Sequence, residues 1–310
     1  MADSRILANF VAIVEAGSVS RAAERIGLTQ SALSQQLAGL EANYGVLLVH
    51  RTPRGVVPTA HGILLNDRAR LILSQIEAMR GDIGSLGAAA KGTVSVAMPV
   101  SVTQMLALPL YDRLHRDHPA VRLRITGAPN RAITSMLHAR SCDLAIAFAP
   151  VDDARLIVDS LAREQMFFLC APERAPAFPM VVGVADIDPM RLALPCRPHS
   201  IRMLLDDALA TSVGDRAVEI DDPGTQLSLV TRGTHDSVMP WPLIREAVVA
   251  GLVVARPVTE VGRDLVMLRN ADAPLSIAGA IVHDLIVLLV AERVRSGEWR
   301  GLTLPSHRPC

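Results

Sequence analysis

Apolar residues recur at helical spacing near the amino end of this chain. Ile6, Phe10, Ile13 and Val14 share one face of a helix predicted over 4–16. Asp3 or Ser4 can cap its start, and Gly17 can end it in a left-handed conformation. Ser18 caps a second helix that ends near Gly27. Thr29 caps a third, running to about residue 43, with Gly45 beyond it. Small Ala22 and Ala23 let two helices approach closely, and Leu33 points back into the same core. Short extended runs at 46–50 and 56–58 then flank Arg51-Thr52-Pro53-Arg54-Gly55. Two such runs around a Pro/Gly turn predict a small hairpin, a wing.

Thr59 caps a fourth helix over 60–86. Its apolar residues Leu65, Ala69, Ile72, Ile76, Met79, Ile83 and Leu86 are spaced by alternating steps of four and three. That heptad seam favours a dimerising coiled coil over a core helix, whose apolar stripe is wider. Residues 84–92, rich in Gly and Ala, read as a hinge. From Thr93 the pattern becomes strand (93–98), helix (102–117), strand (121–126), helix (130–140) and strand (143–148). It predicts an α/β unit with a parallel sheet. Further strands are expected at 166–170, 181–184 and 263–268. Helices are expected at 200–210, around 227–230 and at 274–295.

The expectation is an α+β multi-domain chain. A winged helix-turn-helix spans 2–59, with the helix-turn-helix at 19–38. A linker and dimerisation helix spans 60–90. An α/β domain spans 91–300, with lobe I at about 91–161 and 266–297, lobe II at about 162–265, and a cleft between them.

Composition narrows the function only in part. Half the residues are hydrophobic, so the chain folds. The formal net charge is zero, and residues 1–60 carry five Arg against four acids. Any DNA binding must therefore rest on local charge placement and on doubling by a dimer. Lys91 is the single lysine among 31 basic residues. Cys142, Cys170, Cys196 and Cys310 are widely spread, with no metal-ligand spacing, which suits reduced thiols. No signal peptide is recognised, and the most apolar run, 281–291, contains His283 and Asp284 and is too short to span a bilayer. A cytoplasmic protein is expected, with no catalytic residue, metal or cofactor assigned.

The third helix carries the candidate chemistry. Leu33, Leu37 and Leu40 pack inward, while Gln30, Ser31, Ser34, Gln35 and Ala38 face outward. Gln bonds an adenine edge bidentately, and Ser bonds base edges or phosphate. Arg21 and Arg25 can reach phosphates, as can Arg51 and Arg54 of the wing, and Arg54 can also enter a minor groove. The plainer alternative is a three-helix bundle whose polar face meets only water.

The run Phe10-Val11-Ala12-Ile13-Val14-Glu15-Ala16-Gly17-Ser18, then Ala22-Ala23, Thr29-Gln30-Ser31-Ala32-Leu33-Ser34-Gln35-Gln36-Leu37, Leu40-Glu41 and Arg51-Thr52 through Thr59 closely resemble the N-terminal domain of LysR-type transcriptional regulators. Residues 51–59 and 200–206 are similar to the nitrogen-assimilation-control subgroup. The resemblance implies a winged helix-turn-helix, an antiparallel linker-helix dimer and an effector domain like type II periplasmic binding proteins. It implies homodimers or homotetramers on double-stranded promoter DNA, a small-molecule effector, and RNA polymerase as a further candidate partner. By resemblance Gln30, Ser31, Ser34 and Gln35 are base contacts, and Arg51, Thr52 and Arg54 wing contacts. Gln36 stands where general helix-turn-helix proteins often place an apolar residue, and Leu37 takes over that packing.

In a two-lobed fold, ligands lie at strand ends and helix N-termini. The family's pocket positions correspond to Ser101, Thr103, Thr126, Phe148 and Ser200. Arg197 and His199 beside a helix N-terminus suit an anion such as a small carboxylate. The bland reading is that Ser101 and Ser200 only cap helices and Arg197 is solvated. An effector-independent regulator is an alternative. A hydrolase or a solute-binding protein is a more distant one, since His235-Asp236-Ser237 holds a triad's residue types without triad geometry.

Overall fold

The computed structural model describes residues 4–53, 55–85, 89–208 and 217–305. Three helices open the chain: α1 (Ser4–Ala16), α2 (Val19–Ile26) and α3 (Gln30–Tyr44). They close on Phe10, Ile13, Ala22, Ala23, Leu33, Leu37 and Leu40, all buried. Ser18 Oγ accepts from Arg21 N at 3.4 Å, and Thr29 Oγ1 accepts from Ala32 N at 3.2 Å. Each cap satisfies an orphan donor of the first helical turn.

The wing strands β1 (Val49–Thr52) and β2 (Gly55–Pro58) pair antiparallel, with Val49 opposite Pro58. The wing docks on the turn between α1 and α2, where Val56 N donates to Gly17 O at 2.9 Å. Only glycine fits at residue 55, because a Cβ there would lie 2.1 Å from Gly17 O. Glu41 ties α3 to the wing: its Oε1 accepts from Leu48 N at 2.8 Å and Val49 N at 3.3 Å.

The long helix α4 (Ala60–Ser85) lays Leu65, Ala69 and Leu73 against Leu7 and Val11 of α1. Ile72, Met79 and Ile83 are 46%, 52% and 62% exposed. The heptad seam is thus divided. Its first turns hold the three-helix head, and Ile72, Met79 and Ile83 face outward. Leu86, the last seam residue, lies outside the described residues. An ion pair from Arg70 Nη2 to Glu15 Oε1, 2.7 Å, adds to the joint.

A βαβαβ unit follows: β3 (Gly92–Met98), α5 (Val100–Asp117), β4 (Val121–Gly127), α6 (Asn130–His138) and β5 (Leu144–Phe148). Next come β6 (Leu156–Cys170), β7 (Ala193–Leu194), α7 (Ser200–Ala208), β8 (Val218–Glu219), α8 (Pro223–Thr231), β9 (Ser237–Pro240), α9 (Trp241–Val249), β10 (Val254–Asn270), α10 (Ile277–Arg295) and β11 (Leu302–Thr303).

The main sheet runs β11-β6-β10-β5-β3-β4, with β9 also on β6. β3, β4 and β5 pair parallel, as expected for the unit over 93–148, and the antiparallel β10, β6, β9 and β11 extend it into a mixed sheet. Two long antiparallel strands, β6 and β10, cross between the lobes. The end where Leu268 faces Val158 lies beside β5, and the end with Met166–Leu169 carries β9. Register shifts between Pro257 and Gly262 and between Leu265 and Val266 mark the crossover.

Side chains alternate as strands require. Met166, Phe168 and Cys170 enter one core, and Phe167 and Leu169 the opposite one. The latter core is continuous from Val94 and Leu110 through Leu265 to Trp241 and Ile244, so one apolar layer underlies both lobes. The strand expected at 181–184 is instead a single bridge, Val182 to Val258. Gly183 N donates to Asp186 Oδ2 at 2.8 Å there, and the chain turns into a short 3-10 helix, Val184–Asp186. No described helix is long and apolar enough to cross a membrane.

Candidate nucleic-acid interface and interlobe cleft

The interface is built on α3. Its inner face is clamped by Leu33, Leu37 and Leu40, each no more than 3% exposed. At 100° per residue, burying those three turns Ser31, Gln35 and Ala38 outward and sets Ser34 at the edge of that face, while Gln30 stands in the first turn, at the open start of the helix. Gln30, Ser31 and Gln35 are exposed and Ser34 half-buried. Ser31 Oγ lies 3.2 Å from Thr29 Oγ1 in the cap. The side chains of Gln30, Ser34 and Gln35 have no hydrogen-bond partner among the described residues. Exposed amides without internal partners keep their donors and acceptors for another molecule.

Gln36 explains its own departure from an apolar position. Its Oε1 accepts from Asn9 Nδ2 at 2.7 Å, so a polar pair joins α3 to α1 beside the leucines. Arg21 and Arg51 are exposed and have no ion-pair or hydrogen-bond partner for their side chains among the described residues. Arg25 Nη2 is held by Glu15 Oε2 at 2.9 Å, a partner shared with Arg70. Thr52 Oγ1 donates to Gly55 O at 3.1 Å within the wing turn. Arg54 lies outside the described residues.

The second candidate region lies where β5, α7 and the crossing strands meet. Arg263 of β10 is its centre. Its Nε and Nη2 reach Glu164 Oε2 of β6 at 2.8 and 2.7 Å, and its Nη1 donates to Ser200 Oγ of α7 at 3.3 Å. The guanidinium lies 3.3 Å from the centroid of the Phe148 ring. Glu164 is 0% exposed and Arg263 7%. The other Glu164 oxygen, Oε1, accepts from Trp299 Nε1 at 3.2 Å. Burial pulls the Arg263 guanidinium below its ordinary pKa, and Glu164 opposes that pull.

His199 is half-buried beside this pair. Its Nδ1 accepts from Ile201 N at 3.2 Å, which leaves the ring proton on Nε2. Burial lowers its pKa, and the charges of Arg263 and Arg131 push the same way against Asp221. Phe148 is buried at 2% exposure, clasped by Asn130, whose Oδ1 and Nδ2 bond its backbone N and O at 2.8 and 3.1 Å. Ser101 is buried at the start of α5, Thr103 Oγ1 donates to Pro99 O at 3.2 Å, and Thr126 is exposed on β4. Arg197 Nε is held by Asp206 Oδ2 at 2.7 Å. Burial resists ionisation of Asp206, but hydrogen bonds from Arg202 and Arg197 outweigh it and hold its carboxyl below the usual range.

Comparison with known proteins decides what this scaffold is. Residues 4–63 match the family described as bacterial regulatory helix-turn-helix protein, lysR family. Residues 87–287 match the LysR substrate binding domain. The chain belongs to the LysR family of transcriptional regulators. This regulator is 30% identical over 239 residues to the nitrogen assimilation regulatory protein nac of Escherichia coli K12, covering 76% of this chain and 77% of that one. It is 29% identical over 279 residues to the HTH-type transcriptional regulator YfeR of Shigella flexneri, covering 89% and 91%. A full-length OxyR variant from Pseudomonas aeruginosa superposes with a TM-score of 0.77 at 21% identity, covering 99% of each chain. Full-length CbnR complexed with its target DNA superposes with a TM-score of 0.63 at 19% identity, covering 94% and 99%. These two share the fold.

Within this LysR-family regulator, Arg263 and Glu164 escaped the sequence reading, and Arg197 drew attention in their place. Arg197 stands next to a helix start, where a cation is easily noticed. Arg263 meets its acid across 99 positions of chain. The signal available was local but faint: Gly262-Arg263-Asp264 and Arg163-Glu164-Gln165 each interrupt a strand with charge. Charged residues inside strands that cross a core have to be paired.

Proposed function

We propose that this regulator binds promoter DNA through paired α3 helices, with Gln30, Ser31, Ser34 and Gln35 at base edges. Arg21, Arg51 and Arg54 would contact phosphates, with Thr52 fixing the wing turn. The observation that carries the reading is the exposed surface of α3, where the Gln30 and Gln35 amides and the Ser34 hydroxyl lack partners among the described residues on a helix clamped by three buried leucines. It acts in the cytoplasm and performs no catalysis of its own. The chain divides as head (2–59), linker (60–90) and effector domain (91–300). The exposed Ile72, Met79 and Ile83 of α4 supply the seam for a second copy. A small-molecule effector, of which a carboxylate is one class, enters the cleft near Ser101, Thr103, Thr126, His199 and Ser200. It acts by preferring one arrangement of the heads over another.

Fluorescence anisotropy with the full chain tests the central part. A duplex from the promoter beside its own gene should bind more tightly than a scrambled duplex of equal length by about 10³-fold or more at physiological salt. Equal affinity for both duplexes would reject sequence reading by α3.

A further inference from the structure

We infer that the hinge end of the interlobe cleft is a guanidinium receptor filled by the protein's own Arg263, which holds the two lobes together without an added ligand. The inference rests on reading this cleft as the regulator's effector site. Four different segments build the receptor. β6 supplies the Glu164 carboxylate, β5 the Phe148 ring, α7 the Ser200 hydroxyl, and the segment after α10 the Trp299 Nε1 that fixes Glu164. An acid that takes two N–H donors, a π-face and a hydroxyl acceptor together match a planar cation.

The contacts also span the cleft. Phe148 belongs to the β3–β5 side and Ser200 to the opposite side, and Arg263 touches both from the crossing strand. Glu164 has no other cationic partner among the described residues. An external ligand aimed at this end must displace a group tethered beside its receptor. Such a group acts at millimolar or higher effective concentration. The cleft is therefore closed at rest on its hinge side, and a small molecule entering near Ser101, Thr103, Thr126 and His199 meets a Ser200 hydroxyl already engaged by Arg263.

Chemical rescue tests this with the full-length protein. Arg263→Ala opens the receptor, and methylguanidinium is the probe. At roughly five times its dissociation constant the probe should raise the melting temperature of Arg263→Ala by about 2–4 °C, saturably. It should do nothing for the wild type or for Arg263→Met combined with Glu164→Leu. Methylammonium, which lacks the planar fork, should rescue less. Hydrogen exchange separates a clasp from a mere core pair. Backbone amides at 100–103 and 196–201, on opposite sides of the cleft, should exchange at least tenfold faster in Arg263→Ala and slow again with the probe, while β3 stays protected. Ser200→Ala, which leaves the ion pair whole, should speed the 196–201 segment alone.

Absence of saturable rescue, or equal rescue of the wild type, overturns the receptor. So does unchanged exchange at both segments. If Arg263→Ala fails to fold, Arg263→Lys takes its place: it must show faster exchange at both segments, and wild-type protection overturns the proposal. None of these readings uses DNA, so failure of promoter binding would reject the regulator's proposed operator and leave this result standing.

Discussion

The outward face of α3 and the hinge of the cleft are both polar, yet they are opposites. On α3 the amides of Gln30 and Gln35 are exposed and have no partner among the described residues. At the hinge Arg263, Glu164, Ser200 and Trp299 are bonded to one another, and the two charged groups are buried. Free donors on a rigid helix are available for recognition. Donors already satisfied inside the fold serve it first, and a ligand must compete for them. Residue type does not separate the two cases, but accounting for partners does.

The largest effect should come from breaking the satisfied side. Arg263→Ala strands a buried carboxylate and should cost about 3–5 kcal/mol in denaturant unfolding. Replacing both partners, Arg263→Met with Glu164→Leu, should recover most of that. Equal losses in the single and double variants would mean that Glu164 is not a dependent partner. A smaller effect is expected on the free side. Arg51→Ala should weaken binding to every duplex alike and lower the slope of log affinity against log salt by about one. Loss confined to one sequence would move Arg51 from phosphate to base contact.

The smallest effect concerns His199, whose pKa is depressed in the fold by burial and by Arg263 and Arg131. The unfolded chain takes up its proton first as the pH drops, so His199 contributes stability above about pH 6.5 that is lost as pH falls through its lower native value. His199→Gln should therefore lose melting temperature more slowly than wild type below that pH. Parallel curves would place the ring in water instead of beside the cation pair.

What was legible follows the same division. The head was readable because its determinants are near neighbours: Ser18 and Thr29 cap within three residues, and Gly17, Gly27 and Gly45 end helices at positive φ. The full lengths of β6 and β10 were not readable. Polar Ser160, Arg163, Glu164 and Gln165 interrupt one, and Pro257 and Gly262 the other, so only fragments at 166–170 and 263–268 looked extended. Their order comes from pairing with each other across the whole of lobe II. Arg25 reads in the sequence as a residue that can reach phosphates, but Glu15, ten residues away, holds it and links it to Arg70 of the long helix.

The account stands most directly on Gln35. Anisotropy titrations of wild type and Gln35→Ala against the promoter duplex and a scrambled duplex, at one fixed salt concentration, measure its share of sequence reading. The expected result is a loss of about 1–3 kcal/mol on the promoter with scrambled-duplex affinity unchanged. Equal losses on both duplexes, or none on either, would contradict a reading face centred on α3.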